Sequence, residues 1–108
     1  MRIGVVGARV GRKKVDVFRV LDRFVKAEDI IISGGASGVD TFAEEYALGR
    51  VPFIKFAPDT EHSKTPYEDR NRKIAEECEV LLAFPTDSGG TWQTIRFAEQ
   101  LNKRVVIF

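Results

Sequence analysis

Between residues 30 and 40 the chain reads Ile-Ile-Ile-Ser-Gly-Gly-Ala-Ser-Gly-Val-Asp. A short, wholly apolar run ends on three glycines, Gly34, Gly35 and Gly38, and then gives way to a segment of helical period. In that segment Val39, Phe42, Ala43, Tyr46 and Ala47 recur at i, i+3, i+4, i+7 and i+8, and Gly49 and Pro52 supply stop signals. Strand, glycine turn, helix is half of a βαβ unit. The rest of the chain repeats the rhythm, with strands expected at Ile3–Val6, Ile30–Ile32, Phe53–Phe56, Val80–Phe84 and Val105–Ile107. Apolarity is continuous rather than alternating within these runs, as expected for a parallel sheet covered on both faces. Stripes through Val17, Phe18, Val20, Leu21, Phe24 and Val25, and through Ile95, Ala98 and Leu101, mark the first and last helices.

The length allows one such sheet and no second domain. Leu, Ile, Val and Phe make up 33 of 108 residues, enough for a core, and a single domain of this length has a radius of gyration near ~13 Å. The formal net charge of +1 provides no global field for nucleic acid or membrane. Only local basic clusters are left, the densest being Arg9, Arg12, Lys13 and Lys14. Cys78 and His62 are the sole residues of their kinds, which excludes an internal disulfide and any zinc site built from several Cys or His ligands. No metal or cofactor is expected. No apolar run approaches the ~20 residues of a membrane helix, and the start lacks an apolar signal region, so the chain reads as cytoplasmic and soluble.

Three turns could carry chemistry. Glycines at Ser33-Gly34-Gly35-Ala36-Ser37-Gly38, followed by Asp40, let backbone amides approach an anion at a helix start, although a plain capped turn has the same residues. The exit of the fourth strand, Asp87-Ser88-Gly89-Gly90-Thr91-Trp92-Gln93-Thr94, repeats the arrangement. Here Thr91 and Thr94 share the inward helix face, as phosphate donors or, for Thr91, as a cap. Gly7-Ala8-Arg9-Val10-Gly11 forms the third turn, without a full dinucleotide fingerprint, and the chain has no Gly-Lys-Ser/Thr P-loop. Residues Ala57–Pro66, with two prolines and His62, read as a mobile surface loop, either a lid or simple solvent-facing chain.

The third helix breaks its own pattern. Tyr67, Ile74, Ala75 and Cys78 set an apolar stripe whose missing positions are Arg70 and Asn71. A cation and an amide on the inward face need partners. Arg70 is either in a structural ion pair, with Asp40 or Asp87, or is a fork held for phosphate or ribose. Cys78 reads as core, and Trp92 as a base platform or a core edge.

In order, Ser33-Gly34-Gly35-Ala36-x-Gly38-Val39-Asp40-x-x-Ala43, Arg70-Asn71-Arg72-x-Ile74-Ala75 and Gly89-Gly90-Thr91-x-x-Thr94 resemble the signature of the SLOG superfamily, over nearly the whole chain. That superfamily unites DprA (Smf) with the LOG nucleotide enzymes, and its small YspA/YpsA-type branch of uncharacterised proteins looks nearest. The resemblance implies a Rossmann-like, five-stranded parallel sheet in order 3-2-1-4-5, with a nucleotide or nucleotide-derived ligand at the switch point. It also implies a homo-oligomer, most simply a dimer, with Phe18, Phe97 and Trp92 as possible contacts. The leading expectation is a small-molecule nucleotide-binding module or sensor, with Arg70 and Asp87 as candidate catalytic groups if it is an enzyme. LOG-type N-glycosidases carry adjacent glutamates after the Gly-Thr; this chain has Trp92, Gln93 and Thr94, so only Asp87 or Asp40 could stand in. Single-stranded DNA binding, as in DprA, is the other alternative. Against it, the histidine DprA carries after Gly-Val-Asp-x-x-Ala is Glu44 here.

Overall fold

The computed structural model of the chain describes residues 1–86 and 89–108. Strands β1 (Arg2–Gly7), β2 (Ile30–Ser33), β3 (Phe53–Lys55), β4 (Val80–Phe84) and β5 (Arg104–Ile107) form one sheet. Every pairing is parallel and the order is 3-2-1-4-5. Helices α1 (Lys14–Phe24), α2 (Val39–Ala47), α3 (Pro66–Glu77) and α4 (Gly89–Gln100) connect the strands. The fold is therefore α/β and Rossmann-like, with a radius of gyration of 12.6 Å.

Strand pleating sorts the apolar runs onto two faces. Ile3 and Val5 of β1, Ile31 of β2, and Val80, Leu82 and Phe84 of β4 face α1 and α2 in one core layer. The intervening Val6, Ile32, Leu81 and Ala83 face α3 and α4 in the other, with Ile74, Cys78, Ile95 and Ala98. A strand buried on both sides has no use for polar residues at alternate positions, so the runs are unbroken. Cys78 is fully buried core, as its stripe implied.

The third strand stops at Lys55 rather than Phe56: its partner β2 ends at Ser33, so only the Phe56 amide reaches back, donating to Ser33 O at 2.9 Å. Phe18 and Phe97 are partly buried against the two core layers, and Trp92 is exposed.

Parallel pairing places all strand exits at one end. The β1–β4 register runs from Ile3↔Val80 to Gly7↔Phe84, so the first and fourth strands finish level, at the point where the winding direction reverses. The turn after β1 and the start of α2 are then locked together. Val39 N–H donates to Ala8 O at 3.1 Å, and Gly38, with φ of 77°, lies so close that an added Cβ would stand 2.4 Å from Ala8 O and 2.5 Å from Arg9 O. Only glycine fits both the dihedral and the space. We expect Gly38→Ala to lower unfolding free energy by roughly 2 to 4 kcal/mol in urea titration, combining backbone strain with overpacking. Gly90→Ala, on helix α4 with nothing within 4 Å of the added Cβ, should be neutral or stabilising by up to about 1 kcal/mol.

Candidate functional site

Beyond the carboxyl ends of β1, β2 and β4 lies a cavity of about 350 Å³. Of the residues singled out in the sequence, Gly7, Arg9, Ala36, Asp40, Arg70, Asn71, Gly90, Thr91 and Thr94 line it. Turns from three strand ends thus converge on one space. Ser33, Gly34, Gly35, Ser37, Gly38 and Gly89 are absent from its wall and shape it from behind or beside. Ser33 is fully buried, its hydroxyl donating to Val5 O at 2.7 Å, and works as an internal brace. Asp87 lies outside the described residues.

The start of α2 already holds an anion of its own. Asp40, buried in the first turn of the helix, accepts the Ala36 amide at 3.1 Å, and Val39 N–H is committed to Ala8 O. Burial raises the Asp40 pKa above the ordinary carboxylate value, against the lowering effect of the Ala36 amide, the Arg70 charge and the Gly34 amide. Part of the donor capacity that the glycine turn offered to a phosphate is therefore used internally. Asp40 thus braces the loop, and another wall of the cavity is formed by α3 and the turn after β1.

That wall is cationic. Arg70, half-buried, donates from Nη1 to Gly34 O at 2.8 Å and from Nε to Asn71 Oδ1 at 2.9 Å. Of the two ion pairs that could explain Arg70, the one with Asp40 does not form: among the described residues no carboxylate lies within 4.0 Å of the guanidinium, and Asp40 acts on it only at longer range, while Asp87 lies outside the described residues. The Gly34 carbonyl of the glycine loop engages the guanidinium instead. Described residues satisfy two of the five guanidinium N–H groups in this way. Burial depresses the Arg70 pKa, Asp40 opposes this, and the nearby Arg9 adds to it by repulsion. Arg9 is exposed on the cavity wall and makes no ion pair or hydrogen bond with any described residue. Among the described residues of the wall, two guanidinium groups and one carboxylate give the cavity a net positive lining.

Helix α4 contributes its N-terminal turn. Gly90 and Thr91 line the cavity, and Thr94, fully buried, donates back to Gly90 O at 3.1 Å. Asn71 joins this turn to α3, its Nδ2 donating to Gln93 Oε1 at 3.0 Å, so the amide on the broken stripe bridges two helices. Asn71 thus ties the two helices together while it also lines the cavity. Thr91, nine-tenths buried, forms no hydrogen bond with a described residue, and its helix turn leaves amides toward the cavity.

Tyr67 was read as core and is not. It is 52% exposed and lines the cavity mouth, with the Arg70 guanidinium 5.8 Å from its ring centroid. Val6, Val10, Ile74 and Thr86 complete the wall. The one signal for Tyr67 was its place one turn before Arg70 at the helix start, where a stripe residue can clear the sheet edge. Trp92 is tethered instead at the rim, donating from Nε1 to Thr86 O at 3.0 Å. The basic cluster also separates: Arg12 folds onto Pro85 O and Phe108 O, both at 2.6 Å, and Lys14 pairs with Glu45, leaving Arg9 as its member in the cavity.

The Asp40 shift has a definite pH signature. With its folded pKa raised, the native state holds the proton more tightly, so stability falls as pH rises from about 4, the unfolded carboxylate value, through the folded midpoint. Above that midpoint the loss is complete. Urea titrations across this window should show wild type losing stability relative to Asp40→Asn with rising pH. A difference independent of pH would remove the burial effect.

No protein-family model and no curated protein matches the chain. Among solved structures it is similar to DNA processing protein A from Helicobacter pylori, a structure described for its single-stranded DNA binding mode: TM-score 0.84 at 20% identity, over 99% of this chain and 64% of that one. It is also similar to DNA processing protein A (DprA) from Streptococcus pneumoniae, with TM-score 0.83 at 21% identity, over 98% of this chain and 49% of that one. The chain thus spans about half to two-thirds of the length of these structural neighbours and shares their fold.

Proposed function

We propose that the cavity binds single-stranded DNA by its backbone, seating one nucleotide with a phosphate between Arg9, Arg70 and the α4 amino end. The observation that carries this reading is that two guanidinium groups, Arg9 and Arg70, line one cavity together with a single described carboxylate. A phosphate relieves the repulsion between them and accepts from the remaining guanidinium donors and from the Gly90–Thr91 turn. Tyr67 at the mouth offers a face on which a base can stack without regard to its identity. The fold shared with the Helicobacter protein supports a strand over a free nucleotide, as does the exposure of both Tyr67 and Arg9 on the cavity wall. Within the SLOG resemblance, the chain is taken as a single domain over residues 1–108 of the YspA/YpsA-type branch.

A second reading is a free nucleotide, favoured by the cavity volume, which suits a small ligand. N-glycoside cleavage receives less support. Asp40 is the described carboxylate on the wall, and it is already engaged with the Ala36 amide.

Fluorescence anisotropy with a labelled oligothymidylate distinguishes the two. We expect binding that weakens with salt by about 0.7 log units per log unit of salt for each phosphate neutralised. Arg9→Gln, an exposed change that leaves the fold intact, should weaken binding by roughly five- to thirtyfold, the worth of a charge-assisted hydrogen bond or somewhat less. Thermal stabilisation by thymidine monophosphate, with no oligonucleotide binding at low salt, would overturn the strand reading in favour of the second.

A further inference from the structure

Glu44 occupies the position where the resemblance led to the expectation of a histidine, and the structure gives it a specific partner. Its carboxylate meets Lys55 Nζ at 3.0 Å, with both side chains a little under half exposed. Lys55 is the last residue of β3, paired in register with Ser33, so it stands at the same carboxyl end of the sheet as the cavity, two strands beyond β1.

Its stem lies against the glycine turn. An added Cβ on Gly35 would stand 2.6 Å from Lys55 Cδ, while one on Gly34 would stand 2.6 Å from Arg70 Nη1. Adjacent glycines are therefore flanked by two cations, Arg70 from α3 and Lys55 from β3. Gly35 has φ of 76° and is exposed, so the turn presents a low saddle between them. Arg9, Arg70 and Lys55 together form a cationic line along the ends of β1, β2 and β3. Strand spacing of about 4.8 Å makes that line longer than one phosphate can occupy.

Resting on the strand-binding reading above, we propose that Lys55 holds a second phosphate of single-stranded DNA as the strand leaves the cavity over Gly34–Gly35, and that Glu44 is a built-in competitor for it. In the free protein Glu44 neutralises Lys55. The arriving phosphate takes the lysine and leaves Glu44 to solvent. An exposed pair of this kind is weak enough to open, because water and salt screen it. The acid therefore tunes the affinity and salt sensitivity of strand binding without touching the ligand, and leaves an anion that ends inside the cavity unaffected.

The test uses two conservative surface variants and two ligands. For a labelled oligothymidylate at low salt, Lys55→Gln should weaken binding and Glu44→Gln should tighten it, each by roughly two- to fivefold. Lys55→Gln should also flatten the salt dependence by about 0.7, the loss of one single-strand phosphate contact. Affinity for thymidine monophosphate, measured by calorimetry, should be unchanged in both. If the oligonucleotide binds wild type and both variants alike, Lys55 is outside the path and the inference fails while the cavity reading stands. Equal effects on the mononucleotide would place Lys55 in the cavity and overturn the second seat. Failure of wild type to bind oligonucleotide at all overturns both readings together.

Discussion

The contact of Gly38 with the carbonyls of Ala8 and Arg9 holds the first and second strand exits together, and the geometry of the cavity follows from it. In an order of 3-2-1-4-5 the crevice at the switch point is a consequence of winding, but its width is not. Val39 N–H to Ala8 O fixes that width on one side, and Ala8 N–H to Phe84 O, at 3.0 Å, fixes it on the other. Once those bonds are made, Arg9 has little choice but to stand at the edge of the space. The remaining wall comes from α3 and α4, which Asn71 ties to each other through Gln93.

Charge is distributed over this frame unevenly, and burial decides how. Asp40 and Arg70 are both moved out of water, and each is pushed toward its neutral form by desolvation more strongly than the other holds it charged. They are not joined into an ion pair because the Gly34 carbonyl sits at the guanidinium. The carboxylate braces the loop from within, and on the proposed reading the guanidinium offers its remaining donors to a phosphate; a bidentate Arg–Asp contact would have satisfied both groups instead.

The layering was legible because it depends on local pattern. Continuous apolar runs at Ile30–Ile32 and Val80–Phe84 identify buried parallel strands, and the glycines after them mark the strand exits. Strand order came from the resemblance carried by the three motifs, and the structure has that order. The broken stripe on α3 correctly marked Arg70 and Asn71 as unusual, but periodicity could not assign their partners, which lie on β2's turn and on α4. Tyr67 was misplaced for a related reason: period 3.6 reports which face a residue shares, not whether that face still overlies the sheet at the helix end. The basic run at Arg9–Lys14 looked continuous in sequence, yet the turn at Gly11 sends Arg12 to Pro85 and Lys14 to Glu45. Lys55 and Glu44, eleven residues apart and on different elements, gave no sequence signal for their pairing.

Amide chemical-shift mapping during titration with unlabelled oligothymidylate tests most directly the claim that one cavity at the switch point receives the ligand. The account predicts the largest changes at Arg9–Val10, at Gly34–Ala36, and at Gly90–Thr91, with the Arg70 side-chain Nε–H shifting in step. Changes concentrated instead around Arg12, Val20 and Phe108, which line a separate cavity of about 280 Å³ on the other side of the β1 turn, would contradict it.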